Sequence, residues 1–152
     1  MVITEMNARR LIKSDIWQDE WFGELTILEK LVWIGLFSGC ADSQGRLLDN
    51  PRLICSKLFP FGDVTVDEVA ECLNKFSEKI IRYRVDGRNY IQIIKWWENQ
   101  PVQYAVPSNY PAPEGWKDRV KTYYKKIRIV YNWNKEPNTP AGEALMATFT
   151  AG

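Results

Sequence analysis

Residues 65–94 read TVDEVAECLNKFSEKIIRYRVDGRNYIQII, and this stretch changes its period part-way along. Val66, Val69, Ala70, Leu73 and Phe76 recur at helical spacing and give a helix one apolar face. After Lys79 two β-rich runs follow, Ile80-Ile81-Arg82-Tyr83-Arg84-Val85 and Tyr90-Ile91-Gln92-Ile93-Ile94. Asp86-Gly87-Arg88-Asn89 joins them, and its Asp-Gly pair suits a tight hairpin turn because both residues tolerate positive φ. A helix therefore runs directly into a hairpin whose turn is basic.

Upstream, Thr26 with Glu29 three residues on forms a capping box, and a long apolar helix is predicted from there to about Cys40. Its apolar residues cover most of its circumference, which predicts burial on two sides. Ala41 to Gly45 reads as a turn and Arg46-Leu47-Leu48 as a short strand able to complete a sheet with the hairpin. Asn50 caps a further helix with Pro51 at its first position, where the missing N–H costs nothing, and Phe59 to Asp63 ends it. Thr65 with Glu68 is a second capping box. Before all of these, Arg9 to Trp17 is expected to be extended, with Ile12, Ile16 and Trp17 leaning on the core. Helix, short strand, helix, turn, helix, hairpin is the order of a winged helix-turn-helix, an α+β fold.

Downstream, Pro101, Pro107, Pro111 and Pro113 forbid regular helix or central strand, and Trp96, Trp97, Tyr104 and Tyr110 favour a strap lying across the domain over a free linker. Trp116 to Tyr131 is predicted to be a last, basic helix with an apolar stripe of Trp116, Val120, Tyr123, Tyr124 and Ile127. A short helix is expected after Thr139-Pro140. The organisation is then a winged-helix domain over residues 1–100 with an N-terminal extended segment, a Pro-rich strap over 101–114, and a basic C-terminal helix and tail over 115–152.

Composition narrows the function. The chain has 152 residues, 45% hydrophobic and 26% charged, enough for one full core and an appendage. Its longest apolar run, Leu31 to Phe37, is far short of the roughly 20 residues that span a bilayer, and the first residues carry acids in place of a basic-then-apolar leader, so a cytoplasmic protein without a membrane partner is expected. Cys40, Cys55 and Cys72 are odd in number and lack ligand spacing, which predicts reduced, buried thiols. Histidine is absent, removing Ser-His and Cys-His pairs, and no Gly-rich phosphate loop occurs, so neither an enzyme nor a bound metal or cofactor is expected.

The net charge of +1 hides an asymmetry. Lys and Arg against Asp and Glu number 7 and 12 over residues 1–74, 6 and 2 over 75–95, 0 and 2 over 96–114, and 7 and 3 over 115–152. Such local excess is what a phosphate-binding surface needs. Candidate DNA contacts are Arg82, Arg84 and Arg88 on the hairpin, expected to project from one face, with Lys75, Lys79, Lys117, Lys121, Lys125 and Arg128. Asp67, Glu68 and Glu71 lie outward on the helix that would enter a groove, and carboxylates oppose phosphate. They and Trp96 and Trp97 are the candidate protein contacts.

The ordered set Arg10, Ile12, Trp17, the long apolar helix, Ala41-Asp42, Gly45-Arg46-Leu47, Asn50-Pro51, Leu58-Phe59-Pro60, Asp86-Gly87 and Pro107-Ser108 resembles the N-terminal winged-helix domain of phage replication-initiation or replisome-organiser proteins, related to DnaD-like domains. That resemblance covers roughly residues 9 to 113 and implies a phage or prophage origin, DNA or primosome-protein binding, and no catalysis. Members of the family commonly continue into a second helical domain, whereas about forty residues follow the strap here. Two readings follow: a replication-type DNA-binding module, or a protein-interaction module, such as a phage regulator or inhibitor of a host complex, with little DNA affinity. The partners these imply are DNA, a host or phage protein, and a second copy of the chain.

Overall fold

The structure is a computed structural model that describes residues 8–102, 105–124 and 127–132, over 120–124 and 127–132 the backbone alone. It is α+β. Among the described residues, five helices and a small three-stranded antiparallel sheet share one core, and a separate two-stranded hairpin follows.

Over residues 8–13 the N-terminal segment has no regular structure, and Lys13 is extended as expected, but beyond them the chain is not. Ser14–Gln18 winds into a 3-10 turn, and Asp19 accepts from the Phe22 amide to cap α1, Glu20–Gly23. Phe22 is buried there, whereas Trp17 is 63% exposed. Helix α2, Ile27–Gly35, starts at the Thr26–Glu29 capping box with both bonds made, and continues as a π turn over Leu36–Cys40. Val32, Leu36 and Phe37 face the core, but Ile27 is 84% and Leu31 53% exposed, so α2 is buried on fewer sides than its composition predicts.

Strand β1, Arg46–Leu48, precedes α3, Pro51–Leu58, whose Asn50 cap accepts from the Leu53 amide. Helix α4, Val66–Asn74, begins at the Thr65–Glu68 capping box and buries Val69, Cys72 and Leu73. Each box is worth about 1 kcal/mol and fixes where its helix starts. The hairpin follows as β2, Ile80–Val85, and β3, Arg88–Ile93, and the sheet order is β1-β3-β2.

Register decides what each sheet face does. Leu47, Ile91 and Arg82 stand in line, Ile80 faces Ile93, and Arg84 faces Asn89. Cross-strand partners share a face, so Leu47, Ile80, Ile91 and Ile93 pack on the helices, with Arg82 and Arg84 at the open end of that face. The other face carries Arg46 beside Gln92, and Leu48, Tyr90 and Tyr83 in line. Water does not reach its centre, because the strap crosses it: Ala105 and Val106 are buried, and Tyr110 stacks on Tyr90 at 5.8 Å while Tyr90 stacks on Tyr83 at 5.6 Å. The described residues of the Pro-rich segment lie against this face. A short helix α5, Trp96–Asn99, leads into it.

The predicted helix over Trp116 to Tyr131 is a hairpin instead, β4, Arg119–Tyr124, paired antiparallel with β5, Ile127–Asn132. Its apolar residues fit a helical stripe, but Val120, Thr122, Tyr123, Tyr124, Ile129, Val130 and Tyr131 are β-branched or aromatic, types that fit a pleated surface better. The expected helix after Thr139-Pro140 lies outside the described residues, as do Tyr104 and Lys125.

Candidate nucleic-acid interface

The hairpin tip is a tight turn. Asp86 has φ 51° and Gly87 φ 80°, two successive left-handed residues that make the two-residue turn matching the right-handed twist of the strands. Arg84 pairs with Asn89 and Arg88 with Val85. Arg88 therefore lies on the strap face, opposite Arg82 and Arg84, and the three arginines do not project together as expected. The turn reverses the chain within two residues, and the face parity of β3 follows from the pairing.

The three arginines also differ in partners. Arg82 is committed: its Nε and Nη2 donate to the two carboxylate oxygens of Asp49 at 2.7 and 2.9 Å, and its Nη1 donates to Asn74 Oδ1 at 2.9 Å. The carboxylate raises its already high pKa further. This fork ties β2 to the end of α4 and to the β1–α3 connection. Arg84 and Arg88 are exposed and make no hydrogen bond or ion pair among the described residues. Lys75, also exposed, donates its amide as the C-cap of α4, and Lys79 is half-buried with its ammonium 5.2 Å from the Trp21 ring centroid.

Asp67, Glu68 and Glu71 are exposed on α4, with Glu68 held by its capping box. Cys72 beneath them is 3% exposed, and burial, then Glu29, Glu68 and Glu71, push its thiol up to about 11. Trp96, expected as a protein contact, is 1% exposed: its indole Nε1 donates to the Ser43 carbonyl at 2.8 Å, and it is core. Trp97 is half-buried with the Arg119 guanidinium 5.2 Å above its ring. Lys117 is exposed just before β4; β4 and β5 carry Lys121 and Arg128 at positions paired with Val130 and Tyr123.

Under the strap lies a polar network that sequence reasoning missed. Arg46, 1% exposed, donates through Nε to Gln92 Oε1 at 2.8 Å and through Nη1 to the Asp118 carboxylate and the Tyr110 carbonyl. Gln92 Nε2 donates to the Gln44 and Ile93 carbonyls, and Gln44 bonds Val106 and both backbone groups of Arg119. Asp42 accepts from the Gln44 and Arg46 amides and from Ser108 Oγ, while Asp118 accepts from the Ser108 amide. Burial pushes the Asp42 carboxyl above the ordinary range, against the lowering effect of these bonds and of Arg46. At the far end, the Tyr83 hydroxyl donates to the Pro111 carbonyl at 2.6 Å, and burial is the first cause of a phenol pKa of about 12. The network seats the strap and the base of the β4–β5 hairpin. Its signals in the sequence are an Arg in a three-residue strand and Gln92 within the apolar run of residues 90–94.

A cavity of about 280 Å³ opens between the N-terminal arm and the core, walled by Trp21, Trp33, Phe37 and Trp96 with Lys79 at its edge. Its lining contains no Ser, Thr or Cys. Among the described residues no three His, Cys, Asp or Glu side chains gather as metal ligands, and no helix is long and apolar enough to cross a membrane.

No family model matches the chain, and comparison with curated proteins and with solved structures gives no match either. Function therefore rests on the geometry.

Proposed function

We propose that this chain is a winged helix-turn-helix DNA-binding module of the phage replication-initiation type, which works in the cytoplasm and grips DNA with its hairpin tip and C-terminal basic segment, without catalysis. The element order α2, β1, α3, α4, β2, β3 and the sheet order β1-β3-β2 support the winged reading. The observation that carries it is Arg84 and Arg88, exposed and without partners among the described residues, on opposite faces of a tight two-residue turn. A tip that offers guanidinium groups on both sides can meet two phosphate walls at once, and affinity for DNA comes mainly from neutralised phosphates. Lys117, exposed just before β4, adds a further positive charge, and the sequence of β4 and β5 adds Lys121 and Arg128. Helix α4 is not the reader in this scheme, because Asp67, Glu68 and Glu71 repel phosphate.

Those same carboxylates favour a second reading, a protein-interaction module with little DNA affinity that regulates or inhibits a host complex. Fluorescence anisotropy with duplex and single-stranded DNA over a salt series separates the two. The DNA module binds with a steep salt slope, and Arg84→Ala with Arg88→Ala lowers that slope by up to about 1.8, or 0.9 per lost contact. Flat curves for both substrates would discard DNA binding in favour of the protein-docking reading.

A further inference from the structure

Phe61 is 95% exposed on the turn between α3 and α4, and Val66 at the start of α4 is 38% exposed. Gly62 beside Phe61, at φ 80°, shapes that turn. A large apolar side chain held in water by a shaped turn forfeits its burial energy unless something covers it. The chain from there through α4 is acidic: residues 58–74 contain Asp63, Asp67, Glu68 and Glu71 and no Lys or Arg, with exposed Lys57 and Lys75 at the two ends of the stretch. Burial first, then Glu29 of α2 together with Glu68 and Glu71, push the Cys72 thiol up, in keeping with three carboxylates near that helix.

The complementary surface belongs to the same molecule. Asp67, Glu71 and Asn74 share one face of α4 by their spacing, and Arg82 reaches across to Asn74 Oδ1 at 2.9 Å, so the hairpin adjoins that acidic face. Two residues beyond Arg82 the tip offers Arg84 and Arg88 without partners, with half-buried Val85 between them. Arg84 shares the sheet face of Arg82 while Arg88 lies across the hairpin on the strap face, so an acidic helix face lies beside a basic tip, and a two-fold rotation brings each onto its opposite. The net charge of +1 means that pairing two copies accumulates almost no repulsion.

We propose that a second copy of this chain docks on this surface, the acidic face of α4 and Phe61 of one molecule receiving the arginine tip of the other, twice by symmetry. Dimerisation and DNA then compete for Arg84 and Arg88, but the dimer does not depend on DNA binding.

Sedimentation velocity on the full chain tests the proposal, using charge reversals that spare the Thr65–Glu68 capping box and the Arg82–Asp49 pair. Wild type is expected to dimerise at about 50 mM salt and to dissociate at about 500 mM, where screening shortens to a few ångströms. Asp67→Lys with Glu71→Lys should weaken the dimer at least about tenfold, as should Arg84→Glu with Arg88→Glu, because each opposes like charges. An equimolar mixture of the two variants restores complementarity at both contacts and should sediment as a dimer; Phe61→Ser in the wild-type background should weaken it. A wild-type chain that stays monomeric at low salt, variants that dimerise alone, or a mixture that stays monomeric would each overturn the proposal, the first leaving a basic partner of another kind as the occupant.

Discussion

Arg82 and Arg84 stand two residues apart on one strand face, yet only one of them is available to a ligand. Arg82 is held by Asp49 and Asn74, so Arg82→Ala should act on stability. It strands the Asp49 carboxylate, whose side chain is only 9% exposed, while the 37% exposure of the Arg82 side chain tempers the loss. Chemical denaturation should show a loss of about 1–2 kcal/mol. Arg84→Ala should leave stability within about 0.5 kcal/mol and lower DNA affinity instead. Equal stability losses for the two would contradict this division. Asp42 gives a pH signature. Burial raises its native pKa above the unfolded value, so its contribution is fully present below the unfolded pKa and is lost as pH rises through the native one. Asp42→Asn can still accept from the Gln44 and Arg46 amides, and its amide can donate to Ser108 Oγ. The variant should melt higher than wild type at pH 7, with the gap closing towards pH 4. A gap that does not change with pH would mean that the carboxyl does not titrate in that range.

At the scale of elements, the strap and the turn before β1 hold each other. Gly45, at φ 77°, lies so close to Trp96 that an added Cβ would meet its ring atoms at 2.7 Å. Gly45→Ala combines left-handed strain with a clash against a fully buried ring, and should cost about 3 kcal/mol or more by thermal denaturation. Asp118→Ala removes the carboxylate from the buried Arg46 and should cost about 3 kcal/mol, because a stranded charge is worse than none. The same elements show where sequence patterns are decisive. Both capping boxes, the Asn50-Pro51 start and the Asp86-Gly87 turn are local chemistry, settled within four residues, and each is found where the pattern puts it. Trp116 to Tyr131 is different. Its apolar spacing satisfies a helix and a strand alike, and Asp118 and Arg119 are held in extended backbone by Arg46 and Gln44, some 70 residues earlier. No local rule sees such a contact.

For the whole molecule, the core, the sheet and the strap should unfold together. Trp96 packs in the main core while its Nε1 holds the Ser43 turn that also carries Val106 of the strap. Denaturation followed by tryptophan fluorescence and by far-UV circular dichroism should therefore trace one coincident transition. A fluorescence change at lower denaturant would mean that the strap opens first. What the sequence determined by itself was whatever depends on neighbours in the chain: helix starts, the tight turn, the α+β class, the incompatibility of the 101–113 prolines with regular structure, and the uneven distribution of charge. Only the tertiary structure decided which of those charges are spent. Arg46 and Arg82 look like Arg84 and Arg88 in the chain, but the first two are bound by Asp118 and Asp49, while the second two point into solvent on opposite faces. Pairing of that kind depends on which distant backbone segments the fold brings within 3 Å, and on the face parity that strand register imposes; neither quantity exists until the chain has closed on itself.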